Sequence, residues 1–396
     1  GYVTGAIGKW GLGGRLSTGQ PRFQGFDYFF GYLDQQLAHN FYPTHLWRNG
    51  ERVELDNPYF SPHQRFQGDD PTDPAQYEGY QGNEYSLDVM ADDALDFIER
   101  HRDDRFFLYL PFTIPHVALQ VPDSALAPYD GAFEEEPYLG DPSYLPHYRP
   151  LSAYAAMITR MDAHIGRIMA KLEELGLDEN TLVIFTSDNG TTYTGGVDSE
   201  FFESSAGVRG LKGSVYEGGV RVPFIARWPG QIAAGSVCDQ LACLTDLFAT
   251  TAAVVDETVP AGTCEDSVSF LPALLGKQIV SSRHGVIHHS ISGHFAYRQG
   301  RWKLLLARGS GGWTSPKEGE VPADAPPGQL YDVAADPSET TNVYQTQPDV
   351  VRRLLKQLEE DVSAGRSTAG PTSENDFSPI VLWKSRQAKA AKKKKR

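Results

Sequence analysis

The sequence predicts an α/β protein with a large domain, whose mostly parallel mixed central sheet is sandwiched by helices, and a small C-terminal α+β subdomain with an antiparallel sheet. Helix-like and strand-like segments alternate from residue 85 to residue 255, and short strands joined by tight turns replace them after about residue 276. A chain of 396 residues is long enough for one large and one small domain. We therefore expect domains at residues 1–276 and 277–366, followed by a disordered basic tail at residues 367–396.

The elements predicted for the large domain are helix 85–100, strand 105–112, helix 151–175, strand 181–186, strand 222–228 and helix 245–255. The first two helices carry apolar residues at helical spacing, and Gly176 closes the second. The apolar run Thr181–Thr186 is typical of a strand buried on both faces of a parallel sheet. Thr245 is expected to be the N-cap of the last helix.

The elements predicted for the small subdomain are strands 285–289, 295–298 and 302–307, a loop at 309–328 and a closing helix at 349–361. Gln299-Gly300-Arg301 separates two of these strands and predicts a β-hairpin. From about Ser367 onward the chain is polar and rich in lysine and alanine, so we expect no packed structure there.

The composition argues against nucleic-acid and membrane partners. A formal net charge of −15 disfavours binding to phosphate backbones, and the basic run 392–396 is interpreted as a solvated terminal tail. No apolar run approaches the roughly 20 residues of a membrane helix. The three cysteines, Cys238, Cys243 and Cys264, lack CxxC spacing and therefore indicate neither a zinc site nor a disulfide framework.

Asp188 and Asn189 follow the predicted strand Thr181–Thr186, and open α/β sheets bind ligands outside the carboxyl ends of their strands. A carboxylate beside an amide carbonyl offers two hard oxygen donors, which suit Ca²⁺ or Mg²⁺ rather than zinc. The same Asp-Asn-Gly sequence also suits an ordinary turn. Asn189-Gly190-Thr191 matches the N-glycosylation pattern as well, which a metal-binding Asn189 would leave unused.

Two lysines and one histidine lie in segments that let a small ligand approach. Lys212 lies in a Gly-Leu-Lys-Gly segment, where its ammonium could neutralise an oxygen of sulfate or phosphate. Lys9 lies in a similar Gly-Lys-Trp-Gly segment, and His116 follows a proline after a strand. Taken alone, each residue also fits a plain structural or exposed role.

Other histidines are interpreted as structural residues or as the rim of a pocket, and these are His284, His288, His289 and His294. No carboxylate occurs at metal-ligand spacing among them, and neighbouring residues on a strand point to opposite faces. His39, Asn40 and His45 lie in an aromatic-rich stretch, and we expect them on the substrate side of a site.

In their order and local sequence these segments resemble the type I sulfatases of the alkaline phosphatase superfamily. The matching segments are Gly1–Trp10, Phe107–Tyr109 with Pro115-His116, Ser187–Gly190, Lys212-Gly213 with Glu217–Pro223, and Leu330–Asp332 with Asp336-Pro337 and Asn342. The resemblance covers residues 1–361 and implies an alkaline phosphatase-like fold.

The resemblance also implies a mechanism. It assigns Asp188 and Asn189 as two ligands of a calcium ion, and Lys9, His116 and Lys212 as side chains that hold the sulfate group. In such enzymes a formylglycine hydrate, made from Cys or Ser, attacks sulfur while calcium and the lysines offset charge on the sulfate oxygens. His116 and Lys212 would favour departure of the alcohol.

The sequence departs from the family pattern at two places. The nucleophile motif C/S-x-P-S-R is absent, and so is the early Asp-Asp pair that supplies the other calcium ligands. Both precede the Gly-Lys-Trp segment in the family, so we expect an N-terminal truncation, a formylglycine encoded upstream and an inactive fragment. Gly11 also stands where many relatives carry a histidine.

Sulfate ester hydrolysis is therefore the predicted function, with a small-molecule or carbohydrate sulfate ester as substrate. The alternatives are a phosphoesterase or phosphonate hydrolase of the same superfamily, and a catalytically inactive sulfatase-like binding protein. By family analogy the protein is expected to be exported, to a periplasmic, extracellular or lysosomal compartment.

Overall fold

The computed structural model describes residues 1–260, 262–279 and 283–384. These residues form two compact units. The first contains Gly1–Thr181 and Thr192–Asp198, and the second contains Leu182–Thr191 and the described residues from Ser199 onward. The units therefore divide at a different place from the predicted boundary near residue 276. The basic run 392–396 lies outside the described residues.

The first unit is built on a mixed five-stranded sheet. Its strands are β1 (Val3–Lys9), β2 (Tyr28–Tyr32), β3 (His45–Arg48), β4 (Glu51–Glu54) and β5 (Phe106–Tyr109). Its helices are α1 (Ser86–Arg100), α2 (Asp123–Leu126) and α3 (Pro150–Glu174). The strand order is β4-β3-β2-β1-β5, with β2 and β5 parallel to β1 and with β3 and β4 in antiparallel pairs.

Helix α1 packs on this sheet because its apolar residues recur at helical spacing. Met90, Ala94 and Phe97 are fully buried against Ile7 and Phe30 of the sheet. Helix α3 contacts α1 through the Asp88 carboxylate. Asp88 Oδ1 accepts hydrogen bonds from Arg160 Nε and His164 Nε2 of α3, both at 2.7 Å. The predicted helices at 85–100 and 151–175 are thereby confirmed.

The second unit contains a two-stranded sheet and a four-stranded antiparallel sheet of order β11-β10-β9-β8. Its strands are β6 (Val183–Thr186), β7 (Phe224–Arg227), β8 (Val286–His289), β9 (Phe295–Gln299), β10 (Trp302–Leu305) and β11 (Gln329–Asp332). Its helices are α4 (Glu217–Val220), α5 (Leu247–Val254), α6 (Leu271–Leu274) and α7 (Pro348–Ala364).

The four-stranded sheet and its closing helix confirm the antiparallel C-terminal subdomain. Strands β9 and β10 form the predicted hairpin, with Gln299 opposite Trp302. Leu354 and Leu358 of α7 are buried against Tyr297 and Leu304 on one face of this sheet. With the mixed sheet of the first unit, the predicted fold class is confirmed.

Two local predictions were wrong. Strand β6 is half-buried and pairs antiparallel with β7, because an apolar run favours burial without specifying the direction of the partner strand. Thr245 is not an N-cap: helix α5 is preceded by a 3₁₀ turn at Leu244–Asp246, in which the Asp246 carboxylate accepts from the backbone N–H of Cys243 at 2.9 Å. The 3₁₀ turn shifts the start of the helix, so Asp246 is the residue before its first turn.

The segment from Ser367 to residue 384 makes packing contacts near both of its ends, contrary to the expectation of a tail without packed structure. The backbone N–H of Ser367 donates to Asp266 Oδ1 at 2.8 Å, and Leu382 and Trp383 lie against the cluster around Leu354. Two apolar side chains supply this contact although the surrounding composition is polar. In the described parts of the chain, no helix combines the length and apolarity needed to cross a membrane.

Candidate functional site

Lys9 lies at the carboxyl end of β1, where the backbone of the neighbouring segment comes very close. The backbone N–H of Lys9 donates to Pro111 O at 2.8 Å. Gly8 has a φ of +145°, and a Cβ at this position would lie 2.2 Å from Pro111 O. Glycine is therefore required before Lys9, and its absence of a side chain lets the segment after β5 reach the end of β1.

His116 follows β5 at the same edge of the five-stranded sheet as Lys9, because β1 and β5 are parallel. Its backbone N–H donates to Thr113 O at 2.9 Å, and its Nδ1 lies 2.5 Å from the carbonyl oxygen of Val117. A carbonyl oxygen can only accept, so Nδ1 carries the hydrogen and the neutral ring has its lone pair on Nε2. The ring therefore presents Nε2 as the atom that can take up or give back a proton.

His116 belongs to a group of four half-buried rings in contact with one another, which we call the imidazole cluster: His39, His63, His116 and Tyr144. The His39 ring stacks on the His116 ring, with centroids 5.0 Å apart and planes at 18°. His39 Nδ1 lies 3.0 Å from His63 Nε2, and the Tyr144 ring lies 5.3 Å from that of His39 and 6.0 Å from that of His116. The ring plane of His116 is thus fixed by contacts on one face and one edge.

Asp188 and Asn189 lie immediately after β6, as predicted from the apolar run before them. Ser187 Oγ donates to Asn189 O at 3.1 Å, and Asn189 Nδ2 donates to Gly190 O at 3.0 Å, which leaves Oδ1 as the acceptor atom of the amide. The Asp188 side chain is exposed. The segment is therefore a turn as well as a pair of oxygen donors.

Lys212 is connected to this turn through the backbone. Its N–H donates to Thr191 O at 2.8 Å, and the N–H of Gly190 donates to Gly219 O at 3.2 Å. A Cβ at Gly190 would lie 1.9 Å from Gly218 O, so the two segments touch backbone to backbone. Lys212 itself is half-buried.

The predicted site residues thus fall into two groups. Lys9 and His116 lie at one sheet edge in the first unit, whereas Asp188, Asn189 and Lys212 lie together in the second unit. The convergence of both groups on one tetrahedral anion stays a prediction.

The oxygen donors of Asp188 and Asn189 fit a hard divalent cation by their chemistry. They are two ligands, whereas Ca²⁺ takes about six to eight oxygens. The residues that the structure describes contain no group of three or more His, Cys, Asp or Glu side chains arranged to hold a metal ion. Asp188 and Asn189 can therefore contribute part of a site.

Two histidines of the small subdomain, His288 and His294, contribute to the packing of the second unit. His288 Nε2 lies 3.2 Å from Val215 O, and His294 Nδ1 lies 3.2 Å from Leu306 O. Burial and the charge of Lys303 lower the pKa of His288 to about 3, so it is neutral near pH 7. These contacts agree with the structural interpretation.

Sequence reasoning missed His63 and Tyr144 beside His39 and His116. His63 is 24 residues from His39, and Tyr144 follows an irregular loop without periodicity. Only the folded loops bring these rings together. His39 itself was predicted on the substrate side. Its ring stacks on that of His116, and its role toward the substrate stays a prediction.

Comparison with known proteins gives the following matches. The family model described as Sulfatase matches residues 1–257. The N-acetylgalactosamine-6-O-sulfatase of Bacteroides thetaiotaomicron is 31% identical, over 91% of this chain and 74% of that protein. The steryl-sulfatase of Mus musculus is 29% identical over 74% of this chain, which spans 47% of the length of that relative.

Solved structures of sulfatases have a fold similar to that of this chain. A sulfatase structure from a study of glycosaminoglycan metabolism by Bacteroides thetaiotaomicron has a TM-score of 0.68 and 29% identity, over 91% of this chain and 79% of that one. The PsFucS1 sulfatase from Pseudoalteromonas sp. has a TM-score of 0.64 at 24% identity, over 94% of this chain and 72% of that one, and supports the fold alone.

Proposed function

The chain belongs to the sulfatase family of sulfuric ester hydrolases, and from this premise we propose that the whole protein hydrolyses a sulfate ester of a carbohydrate. The products are inorganic sulfate and the free sugar hydroxyl. The bacterial relative named for N-acetylgalactosamine 6-sulfate makes that sugar sulfate the first substrate to test.

The observation that carries the proposal is the 2.8 Å hydrogen bond from the Lys212 N–H to Thr191 O. This bond places the lysine segment against the turn that contains Asp188 and Asn189. A cation site and an ammonium side by side suit a group that carries negative charge on several oxygens. Sulfate esters and phosphate esters both meet this requirement, and the family favours sulfate.

In the proposed reaction the side chains of this chain bind the sulfate group and assist the leaving alcohol. Lys9 and Lys212 offset negative charge on the sulfate oxygens, which grows as the ester bond breaks. His116 donates a proton from Nε2 to the departing sugar oxygen when its ring is in the doubly protonated, cationic form. The transfer leaves the neutral ring with its hydrogen on Nδ1, where Val117 O accepts it. The contacts of the imidazole cluster hold the orientation of the His116 ring during this transfer.

Asp188 and Asn189 would hold a divalent cation, Ca²⁺ rather than Mg²⁺, together with further oxygen ligands. When bound, the cation would act as a Lewis acid toward the sulfate oxygens. A formylglycine is the nucleophile that we propose for the whole protein, and it would supply the attacking hydroxyl. We also propose export of the protein, by family analogy; cell fractionation tests this directly.

The proposed function is tested with the matured full-length protein, a chromogenic aryl sulfate and N-acetylgalactosamine 6-sulfate. Released phenol and inorganic sulfate are measured with and without a calcium chelator. Turnover of the sulfates with little turnover of the matching phosphate ester supports the proposal. Turnover of the phosphate ester alone indicates a phosphoesterase, and binding without turnover indicates an inactive sulfatase-like protein; either result overturns it.

A further inference from the structure

A group of four charged side chains lies beneath the segment that carries Lys212. We call Lys303, Glu217, Glu339 and Arg298 the Lys303 cluster. Lys303 of β10 is completely buried, and its Nζ lies 2.9 Å from both Glu217 Oε1 and Glu339 Oε1. Arg298 of β9 donates to the other oxygen of Glu217 at 2.8 Å. The cluster contains two cations and two anions and is formally neutral.

Burying these charged side chains costs free energy unless each of them has a partner of opposite charge. Glu217 is 3% exposed and Glu339 is completely buried, as is Lys303. Lys303 and Arg298 also lie directly opposite each other on neighbouring strands, where like charges repel. Glu217 lies between them and accepts from both, so the strands tolerate the pair only while Glu217 is in place.

Glu339 connects both ends of the lysine loop, which we define as residues 209–221. Its Oε2 accepts from the backbone N–H of Glu217 at 2.6 Å, and its carbonyl oxygen accepts from the Arg209 guanidinium at 2.8 Å. The loop is also closed on itself, because the N–H of Gly218 donates to Arg209 O at 2.7 Å. One buried residue therefore determines where both ends of the loop lie.

Lys212 lies between these two ends of the lysine loop. The N–H of Gly190 donates to Gly219 O, and the N–H of Lys212 donates to Thr191 O, so the loop and the turn with Asp188 shift together. Val215 and Tyr216, in the middle of the loop, are buried against the β-sheet that contains Lys303. Covalent and hydrogen-bonded paths therefore connect the cluster to the backbone from which the Lys212 side chain extends.

We propose that the Lys303 cluster positions Lys212 for the sulfate group, with Lys303, Glu217 and Glu339 acting as positioning residues. This inference rests on the proposed function and extends it to three side chains that do not touch the substrate. The role of the C-terminal sheet is then to hold a part of the active site, in addition to its contribution to stability.

The test uses the full-length protein and a double variant, Lys303→Met with Glu339→Gln. This variant removes one cation and one anion, leaves Glu217 paired with Arg298, and keeps an oxygen at residue 339 to accept from the Glu217 N–H. It therefore avoids the unpaired buried charge that could prevent the single Lys303→Met variant from folding. The matched control is Arg283→Met with Asp246→Asn, which removes another buried ion pair of the same unit, with atoms 2.6 Å apart.

Two measurements are made on each folded variant. The first is hydrogen exchange of a peptide covering the lysine loop, which does not depend on activity. The second is kcat/KM for the aryl sulfate, measured in the wild-type background and in the Lys212→Ala background. A purely structural cluster would lower kcat/KM by the same factor in both backgrounds.

We expect the double variant to speed exchange in the lysine loop by about tenfold and to lower kcat/KM by about 10- to 100-fold, as the loss of supporting contacts does in other sites. In the Lys212→Ala background the further loss should be under about threefold, and the control variant should change neither quantity. Unchanged loop exchange, or an equal loss in both backgrounds, overturns the inference. A wild-type protein without sulfate turnover refutes the proposed function instead, and loop exchange then decides alone whether the cluster holds the loop.

Discussion

The imidazole cluster of the first unit and the Lys303 cluster of the second hold predicted site residues by different forces. His116 is fixed by ring contacts and a hydrogen bond between half-buried groups. Lys212 is held through a loop whose ends are fixed by fully buried charges. Contacts between rings contribute about 0.5–1.5 kcal/mol each, whereas an unpaired buried charge costs about 3–5 kcal/mol.

The two clusters should respond differently to single substitutions. Loss of one ring from the imidazole cluster leaves the remaining contacts intact, so activity should decline gradually. Loss of one member of the Lys303 cluster leaves three charges that no longer balance, so one buried charge stays uncompensated. The second unit should therefore respond to single substitutions more sharply than the first.

The largest expected effect is that of Lys303→Met on stability. The variant leaves two carboxylates with one remaining cation, so the free energy of unfolding should fall by about 3–5 kcal/mol in a urea titration. The control is Lys356→Met on α7, where the lysine is 77% exposed and the change should stay within about 0.5 kcal/mol. A loss below about 1 kcal/mol for Lys303→Met would contradict the ionic account of the cluster.

Lys212→Ala should lower kcat/KM for the sulfate ester by about 100-fold or more, because one charge-stabilising donor is removed. Stability should change little, since Lys212 is half-buried and its backbone hydrogen bond to Thr191 is retained. Steady-state kinetics of the full-length protein check this, with Lys356→Ala as the exposed control. Unchanged kinetics would remove Lys212 from the site.

His39→Ala should have a smaller effect, about tenfold on kcat/KM and about 1 kcal/mol on stability, because it removes one stacked ring and one hydrogen bond. His39→Phe keeps the ring and should recover most of the activity. The control is His101→Ala, which also removes a ring contact, to Phe97, and a hydrogen bond, to Asp104. Equal activity losses in His39→Ala and His101→Ala would mean that the imidazole cluster has no special role.

The smallest expected effect is the loss of folding stability at low pH that one buried histidine in each unit causes. Burial lowers the pKa of His147 in the first unit to about 4, and burial with the Lys303 charge lowers that of His288 to about 3. The unfolded chain binds these protons near pH 6.5 and the folded chain does not, so stability falls as the pH drops below about 6.5. Each histidine should account for about 1 kcal/mol of the loss between pH 7 and 5.5.

Urea titrations of His147→Gln and His288→Gln at both pH values measure this contribution. Each variant should lose less stability than the wild type over the same interval. The same titrations at pH 8, where the wild-type imidazoles are neutral in both states, give the cost of the replacement itself. If both variants lose as much stability between the two pH values as the wild type does, groups other than these two histidines cause the acid sensitivity.

Much of the fold could be predicted because its signals are local. The apolar spacing within α1 and α3 and the turn between β9 and β10 are each encoded within a short stretch of sequence. The N-cap of α5 was mispredicted because a 3₁₀ turn at Leu244–Asp246 precedes the helix, so that Asp246 and not Thr245 lies before its first residue. The contacts of Leu382 and Trp383 were missed because their partners lie far away in the sequence.

The sequence by itself determined the identity of the chemical groups: the oxygen donors after β6, the lysines beside glycines, and the histidine after a proline. Each of these groups alone also fits a structural or exposed role, and their order along the chain, with the resemblance to the sulfatases, indicated that they bind a cation and a small anion. The tertiary structure alone decided what holds them. Lys303 meets Glu217 across 86 residues of sequence, and His63 meets His39 across a loop. Such contacts depend on where the chain returns in space, which no local pattern of residues specifies.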